Sequence, residues 1–229
     1  MGVKLPVSDP GPLGITLGWQ LQGVPQCPHC SISNPVMRQV WDSASYIASS
    51  GRENLERADG RALDMWAVYS CSTCGSLVMV KANPAQGFVT AIFPSVKKAH
   101  EDLPAMAKIF LQQAFDTLHA PDAAAVMAGS AVDAMLKDLG YTDGTLYARI
   151  DKARDEHLLT QGMADWAHEV RLGSNRPRHA DENRPHVSVD EAKQSVEFAE
   201  ALGQFLFVLT ARTRRGIALA KEIAEKSES

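Results

Sequence analysis

The sequence predicts an α+β fold in two parts, a small β unit followed by an all-α helical bundle. All four cysteines lie before residue 75 in two CxxC pairs, and short apolar runs bounded by turn residues surround the second pair. Beyond residue 103, apolar residues recur at three- and four-residue steps, which is the period of an amphipathic helix. The change of period places the predicted boundary between the two parts at residues 94–102.

The composition is that of an ordinary soluble chain. Of the 229 residues, 45% are hydrophobic and 22% are charged, and the formal net charge is -4. These values are typical of a globular protein and exclude a disordered or globally basic one, so binding to nucleic acid would need a local basic patch. No apolar run reaches the roughly 20 residues that span a bilayer, and no early apolar run follows a basic start. We therefore expect a cytoplasmic protein with no membrane partner.

The cysteine pairs predict a metal site. Each CxxC turn can present two thiolates to one ion, and two such turns complete a tetrahedral four-sulfur site. In a cytosolic chain, paired CxxC motifs favour a metal over disulfides. The predicted ligands of a structural Zn2+ are Cys27, Cys30, Cys71 and Cys74. His29 lies inside the first turn and is expected to be a spacer, because four thiolates already complete the site.

The predicted zinc-ribbon domain covers residues 27–95. Residues 65–70 and 76–81 flank the second cysteine pair and predict two paired strands, and residues 88–93 predict a third strand. The stretch between the cysteine pairs is longer than in compact zinc fingers. It therefore has room for strands and for an insertion, with a predicted loop at residues 48–52.

An irregular N-terminal arm is predicted before the ribbon. Residues 1–26 are rich in Gly and Pro and show no sustained hydrophobic period. Trp19 and Leu21 are the large apolar residues that we expect to pack onto the sheet that follows.

Residues 100–220 predict the helical bundle. The predicted helices cover residues 103–119, 123–139, 145–157, 160–174 and 188–209, with a solvated helix at 216–225. Pro121 suits the start of the second helix, and Gly140 suits its C-terminal cap. Ser188 and Glu191 have the spacing of a capping box and therefore predict where the fifth helix begins.

The most informative stretch follows the fourth predicted helix. Arg171, Asn175 and His179 are spaced by four, so on a continuous helix they would share one face. Arginine is a permanent cation and histidine exchanges a proton near neutral pH, so the three suit the handling of a phosphodiester without a metal. The alternative is a solvated helix end, where Arg and His suit the helix dipole. Pro177 predicts that the helix kinks or ends near Asn175, and the nearby His168 is interpreted as a surface residue.

Several pieces of the helical part carry a resemblance to a known family. They are residues 131–140, 144–147 with Ile150, 162–167 and 188–192, together with Arg171, Asn175 and His179. In these pieces the chain resembles the prokaryotic DUF4145 family, which is related to the HEPN superfamily of small helical bundles. The resemblance implies that Arg171 and His179 match the Arg…His signature of HEPN ribonucleases, with Asn175 as the polar residue between them. It also implies that Asp133 matches a frequent acidic position and pairs with Arg171.

This resemblance implies a metal-independent endoribonuclease or RNA-binding protein in a prokaryotic toxin or phage-defence system. Such enzymes work as homodimers through the helical bundle and build a composite site from both protomers. His179 would exchange a proton with the 2′-hydroxyl or the leaving 5′-oxygen, and Arg171 would stabilise the charged transition state. The products would carry a 2′,3′-cyclic phosphate. Arg176, Arg178 and Arg184 are the expected RNA-binding residues of a local basic patch.

Two other functions remain open at this stage. One is a non-catalytic dimeric binding or scaffold module whose zinc ribbon recruits nucleic acid or a partner protein. The other is a structural subunit of a larger assembly. In both, the basic residues hold a loop to the bundle through ion pairs with Asp133, Asp181 or Glu182. Side chains of Arg171 and His179 that converge in an open cleft would favour the enzyme over these alternatives.

Overall fold

The computed structural model describes residues 11–45, 58–59, 63–83, 85–175 and 186–227, with the side chains of 171–175 and 227 left out of the description. The chain divides into two compact units, Met1–Lys97 and Lys98–Ser229, which we call the sheet unit and the helical unit. The sheet unit holds an antiparallel sheet, and α-helices make up most of the helical unit. The predicted α+β fold class is therefore confirmed.

The sheet unit is built on a four-stranded antiparallel sheet whose strands pair in chain order. The strands are β1 (Met37–Asp42), β2 (Met65–Cys71), β3 (Leu77–Ala82) and β4 (Val89–Phe93). The predicted hairpin around the second cysteine pair is β2 and β3, and the predicted third strand is β4. No specific range was predicted for β1, because a register shift between Gln39 and Trp41 interrupts its alternation of inward and outward residues.

Residues 11–26 contribute to the core of the sheet unit. Ile15, Leu21 and Val24 are buried in the same apolar cluster as the inward-facing residues of the strands. The prediction was right for Leu21 and wrong for Trp19, which is 81% exposed. Trp19 is attached through its main chain, since its carbonyl accepts a hydrogen bond from the Gln39 amide at 3.0 Å. Its side chain lies in solvent.

The helical unit contains six α-helices in its described residues. They are α1 (Ala105–Asp116), α2 (Pro121–Asp138), α3 (Leu146–Asp155), α4 (Gln161–Asn175), α5 (Val189–Gly203) and α6 (Leu209–Ser227), with a π-helical segment Gln204–Val208 between the last two. α2 is central and packs against α1, α3, α4 and α5. Its buried face consists largely of small residues, such as Ala124, Ala128 and Gly129. Small side chains let neighbouring helices approach closely, which explains how one helix contacts four others.

The helix termini predicted at Pro121, Gly140 and Ser188 are confirmed. Pro121 occupies the first turn of α2, and Gly140 follows that helix with φ of 95°, a conformation that favours glycine. The Ser188 hydroxyl accepts a hydrogen bond from the Glu191 amide at 3.2 Å, and the Glu191 carboxylate accepts one from the Ser188 amide at 2.8 Å. The capping box at the start of α5 is thus present in full.

α6 is a solvated helix, as predicted for its second half. Ile217, Leu219 and Ile223 are each more than half exposed. Near the start of the helix, Arg215 donates two hydrogen bonds of 2.8 Å to the Asp102 carboxylate, and this pairing lowers the pKa of Asp102. Among the described residues, no helix is both long and apolar enough to span a membrane.

Candidate functional sites

The four cysteines converge at one end of the sheet unit. Cys71 ends β2 and Cys74 lies in the turn that leads into β3, whereas Cys27 and Cys30 precede β1. Their Sγ atoms all lie within 4.8 Å of one another, and those of Cys27 and Cys74 are 4.0 Å apart. A tetrahedral zinc site with Zn–S bonds of about 2.3 Å requires sulfur–sulfur distances of about 3.8 Å. The arrangement is therefore compatible with a metal site.

Both cysteine turns are fixed by main-chain hydrogen bonds. The Ser31 amide donates to the Cys27 carbonyl at 2.9 Å, and the Gly75 amide donates to the Cys71 carbonyl at 2.8 Å. Gly75 has φ of 73°, and nothing lies within 4 Å of where a side chain would begin. Backbone conformation, and not space, is therefore the reason why glycine suits this turn.

The four thiols differ in burial and in proton affinity. Cys27 and Cys71 are fully buried, and Cys74 is exposed. Burial raises the pKa of the Cys27 thiol to about 12 and also raises the pKa of Cys30. For Cys74, burial acts in the same direction, but hydrogen bonds with Ser76, Cys30 and Cys71 outweigh it and lower the pKa to about 7. A metal that binds all four sulfurs must displace protons from Cys27 and Cys30.

His29 contacts the backbone at the start of β3. Its Nε2 lies 2.9 Å from the Leu77 carbonyl oxygen, so the ring N–H can donate a hydrogen bond to that oxygen. The group of potential metal ligands found among the described residues consists of the four cysteines alone. This contact agrees with the predicted role of His29 as a spacer.

The structure describes only the first part of the Arg…His signature. The α4 helix runs without interruption through Arg171 and Asn175, so these two positions lie on one helix face in consecutive turns. Their side chains lie outside the description. Also outside it are the whole of His179, Arg176, Arg178, Arg184, Asp181 and Glu182, and the kink expected at Pro177. Whether Arg171 and His179 converge stays a prediction.

Asp133 lies on α2 and has two cationic partners in the described residues. One carboxylate oxygen accepts a hydrogen bond from Arg149 on α3, and the other forms an ion pair with Lys137 at 2.6 Å. Arg149 is only 8% exposed, and its Nη1 donates to the carbonyls of Thr142 at 3.1 Å and Gly144 at 2.8 Å. The ion pair with Lys137 could be predicted from the sequence, because residues four apart on a helix are neighbours. The pairing with Arg149 could not be predicted in this way, because Arg149 is 16 positions from Asp133 in the sequence.

His168 is another residue whose surroundings the sequence did not reveal. It was interpreted as a surface residue, but its side chain is only 17% exposed. Its Nε2 lies 3.3 Å from Asp151 on α3, and its ring centroid lies 4.4 Å from that of Tyr147. Asp151 also forms an ion pair with Arg154 at 2.8 Å. These contacts join α3 to α4 three residues before Arg171.

A further cluster connects the residues before α5 to the start of α2. The Asp122 carboxylate accepts a hydrogen bond from the Val187 amide at 2.8 Å and a second one from the His186 ring. The Val187 hydrogen bond is the largest cause of a lowered pKa of Asp122, which burial opposes and His186 reinforces. The cluster fixes the residues just before α5 to the first turn of α2.

Comparison with known proteins identifies the helical part of the chain. A family model described as a domain of unknown function, DUF4145, matches residues 112–226. The matched range includes all of α2 to α5 and lies wholly outside the sheet unit with its cysteines. No curated protein and no solved structure matches the chain. The chain belongs to the DUF4145 family, as its helical motifs predicted.

Proposed function

We propose that the helical unit is a metal-independent endoribonuclease of the HEPN type. The observation that carries the proposal is the unbroken course of α4 through Arg171 and Asn175, in a chain of the DUF4145 family. The helix puts Arg171 and Asn175 in consecutive turns of one face, and in sequence they precede His179 by eight and four residues. An arginine, an amide and a histidine supply charge stabilisation, orientation and proton transfer for cleaving a phosphodiester.

In this mechanism the 2′-oxygen of the RNA attacks the adjacent phosphorus, and the bond from phosphorus to the 5′-oxygen breaks. One His179 accepts the proton of the 2′-hydroxyl, and a second His179, from the other protomer of a homodimer, donates a proton to the leaving oxygen. Arg171 stabilises the added negative charge on the phosphoryl oxygens. The products are a 2′,3′-cyclic phosphate and a 5′-hydroxyl.

The remaining residues have supporting roles in the proposal. RNA phosphates are bound by Arg176, Arg178 and Arg184. The net charge of the chain is -4, so binding RNA requires a local patch of positive charge, which these arginines supply. Asp133 binds Arg149 and Lys137, so we assign it to holding α3 against α2 and not to a step of the cleavage reaction. The proposed setting is a cytoplasmic toxin or phage-defence system.

We also propose that the cysteines of the sheet unit bind one structural Zn2+ and form a zinc ribbon. Four sulfurs within 4.8 Å of one another fit a closed tetrahedral site. With all four positions filled by protein, such an ion would add no chemistry and would cross-link residues 27–30 to the β2–β3 turn. That cross-link would stabilise a small sheet with a limited core.

The test of the enzyme is cleavage of RNA by the purified protein with EDTA in the reaction. Wild type is compared with Arg171→Ala and His179→Ala, and with His119→Ala, an exposed histidine of the helical unit, as the matched control. We expect cyclic phosphate ends from wild type and His119→Ala, and a loss of at least about 100-fold in both signature variants. Failure of the folded wild type to cleave any RNA, or full activity of His179→Ala, would refute the enzyme.

A second candidate is a non-catalytic module that binds single-stranded RNA on the sheet. It is favoured by an exposed row of apolar side chains across all four strands. The cross-strand register pairs Trp41 with Val68, Val68 with Met79, and Met79 with Phe93. Trp41, Met79 and Phe93 are each more than 40% exposed, and Trp66 stacks on Phe93 with centroids 6.0 Å apart. Aromatic side chains on an open face are platforms on which bases stack.

Basic residues flank this row on both sides. The exposed Arg38 is aligned with Ser70 on one side of it, and Lys81 is aligned with Trp66 on the other. The test is fluorescence anisotropy of a labelled single-stranded RNA with wild type, Phe93→Ala and the control Leu13→Ala, whose side chain is similarly exposed. We expect Phe93→Ala to weaken binding at least about fivefold. Equal affinity of all three proteins would exclude the sheet as the binding face.

A further inference from the structure

The helical unit contains a cavity of about 920 Å3 bounded by α1, α2 and the first half of α3. Its apolar walls come from Met106 and Phe110 on α1 and from Leu146 on α3. Its polar lining includes Asp133, Lys137 and Arg149, which form the ion-pair network already described. A volume of this size accommodates a ligand as large as a nucleotide.

The polar lining is held in place before any ligand arrives. Arg149 is 8% exposed and is fixed by two main-chain carbonyls as well as by Asp133. Its Nε is a buried donor that has no hydrogen-bond partner among the described residues. Asp133 keeps lone pairs beyond those used by its two cations, and Lys137, with a side chain 49% exposed, keeps free donor capacity. The cavity therefore presents a hydrogen-bond acceptor directly beside donors.

The charge of the lining restricts the class of ligand. Asp133 and Asp138 balance Lys137 and Arg149, so there is no excess positive charge to hold a free phosphate. A metal ion is disfavoured as well, because Asp133 is already neutralised by two cations. The lining instead matches a neutral, planar group with a polar edge, whose ring faces contact the apolar walls.

The cavity is also connected to the proposed catalytic helix. Tyr147 lines it, and the ring of Tyr147 packs against that of His168 on α4. His168 precedes Arg171 by three residues, which is less than one turn of the same helix. A base bound in the cavity would thus lie one side-chain contact away from the helix that carries Arg171.

We propose that this cavity binds a nucleobase of the RNA, with guanine as the best match. The N1–H and N2–H groups of guanine would donate to the Asp133 carboxylate, and Lys137 would donate to O6. Met106 and Phe110 would contact the faces of the ring. The identity of the ligand rests on the proposed function, but binding of a free nucleotide does not require that RNA be cleaved.

The test is isothermal titration calorimetry of the full chain with GMP, AMP, CMP and UMP. The variant Lys137→Ala removes the donor at a half-exposed position and is compared with Lys193→Ala, whose side chain is equally exposed at 49% but lies outside the cavity. A second variant, Ala105→Trp, fills the cavity from an exposed position of α1. We expect wild type to bind GMP in preference to AMP, CMP and UMP. The affinity for GMP should be at least about tenfold lower in Lys137→Ala and in Ala105→Trp, and it should be unchanged in Lys193→Ala.

Two results would overturn the proposal. One is the absence of binding of all four nucleotides to protein whose helical circular dichroism is intact. The other is binding that Lys137→Ala and Ala105→Trp leave unchanged, since the nucleotide would then bind elsewhere. Binding of GMP without RNA cleavage would support the cavity and refute the ribonuclease, whereas cleavage without nucleotide binding would do the reverse.

Discussion

Arg149 is expected to be a stabilising residue of the helical unit, although it is a charged residue in the middle of a short helix. The perturbation is Arg149→Met, which keeps most of the aliphatic side chain and removes the guanidinium. The substitution leaves the carbonyls of Thr142 and Gly144 without their donor and takes one of two cations from Asp133.

The magnitude follows from these contacts. Breaking a buried ion pair by removing one partner costs roughly 3–5 kcal/mol. The Asp133 side chain is 24% exposed and keeps Lys137, so the lower end of that range applies. We therefore expect the free energy of unfolding of the helical unit to fall by about 3 kcal/mol. Arg149→Lys should recover little of it, because a single ammonium cannot reach three oxygens in the fixed geometry of a guanidinium.

The assay is urea denaturation followed by circular dichroism at 222 nm, because the helical unit contains α1 to α6. Lys137→Ala is the control, since it removes the other partner of Asp133 from a half-exposed position and should cost less than about 1 kcal/mol. The reasoning fails if Arg149→Met lies within about 1 kcal/mol of wild type or costs no more than Lys137→Ala.

Three further predictions concern the metal site, the Asp122 cluster and the core. Cys27→Ser should reduce the bound zinc, measured by elemental analysis, from one ion per chain to much less than one. It should also lower the melting temperature of the sheet unit, measured by tryptophan fluorescence. A full complement of zinc in this variant would exclude Cys27 as a ligand. The pKa of Asp122 in the folded state is lowered, so its hydrogen bonds with Val187 and His186 stabilise the fold at pH values above the unfolded pKa of about 3.9. That contribution is lost as the pH falls through the folded pKa. The difference in unfolding free energy between wild type and Asp122→Ala should therefore shrink below about pH 4, and a difference that stays constant from pH 7 to pH 3 would contradict this. Phe198→Ala should cost about 3–5 kcal/mol by urea denaturation, because the ring is only 1% exposed in the core of the helical unit, and a cost below about 1 kcal/mol would mean that the ring is not packed there.

The features that the sequence revealed are those encoded over short distances. The β2–β3 hairpin surrounds the second cysteine pair, and its alternation is visible within one run of residues. The helices follow from the 3.6-residue period, and Pro121, Gly140 and Ser188 mark termini through local conformational preferences. β1 was not located, because its register shift breaks the alternation on which strand prediction depends.

The features that the sequence did not reveal depend on contacts between elements. Trp19 was expected to be packed, but its side chain is exposed, and it is its main chain that pairs with β1. Asp133 was expected to pair with Arg171, and the structure describes Arg149 and Lys137 as its partners. His168 lies against Asp151 and Tyr147 because α3 packs on α4. Hydrophobic period indicates which face of a helix is buried, but not which polar group on another helix that face will meet.

The sequence by itself therefore determined the two-part α+β organisation, the family of the helical part and the four candidate metal ligands. The organisation and the ligands rest on spacing along the chain, and the family rests on the resemblance of short motifs, so none of the three depends on how the elements cross. Only the tertiary structure decided that the four sulfurs meet within 4.8 Å and that Asp133 is held by a buried arginine 16 residues away. The tertiary structure alone also decided that three helices border a cavity lined by that pair. The reason is that such sites are formed by side chains from separate elements, and their distances exist only once the helices and strands have packed.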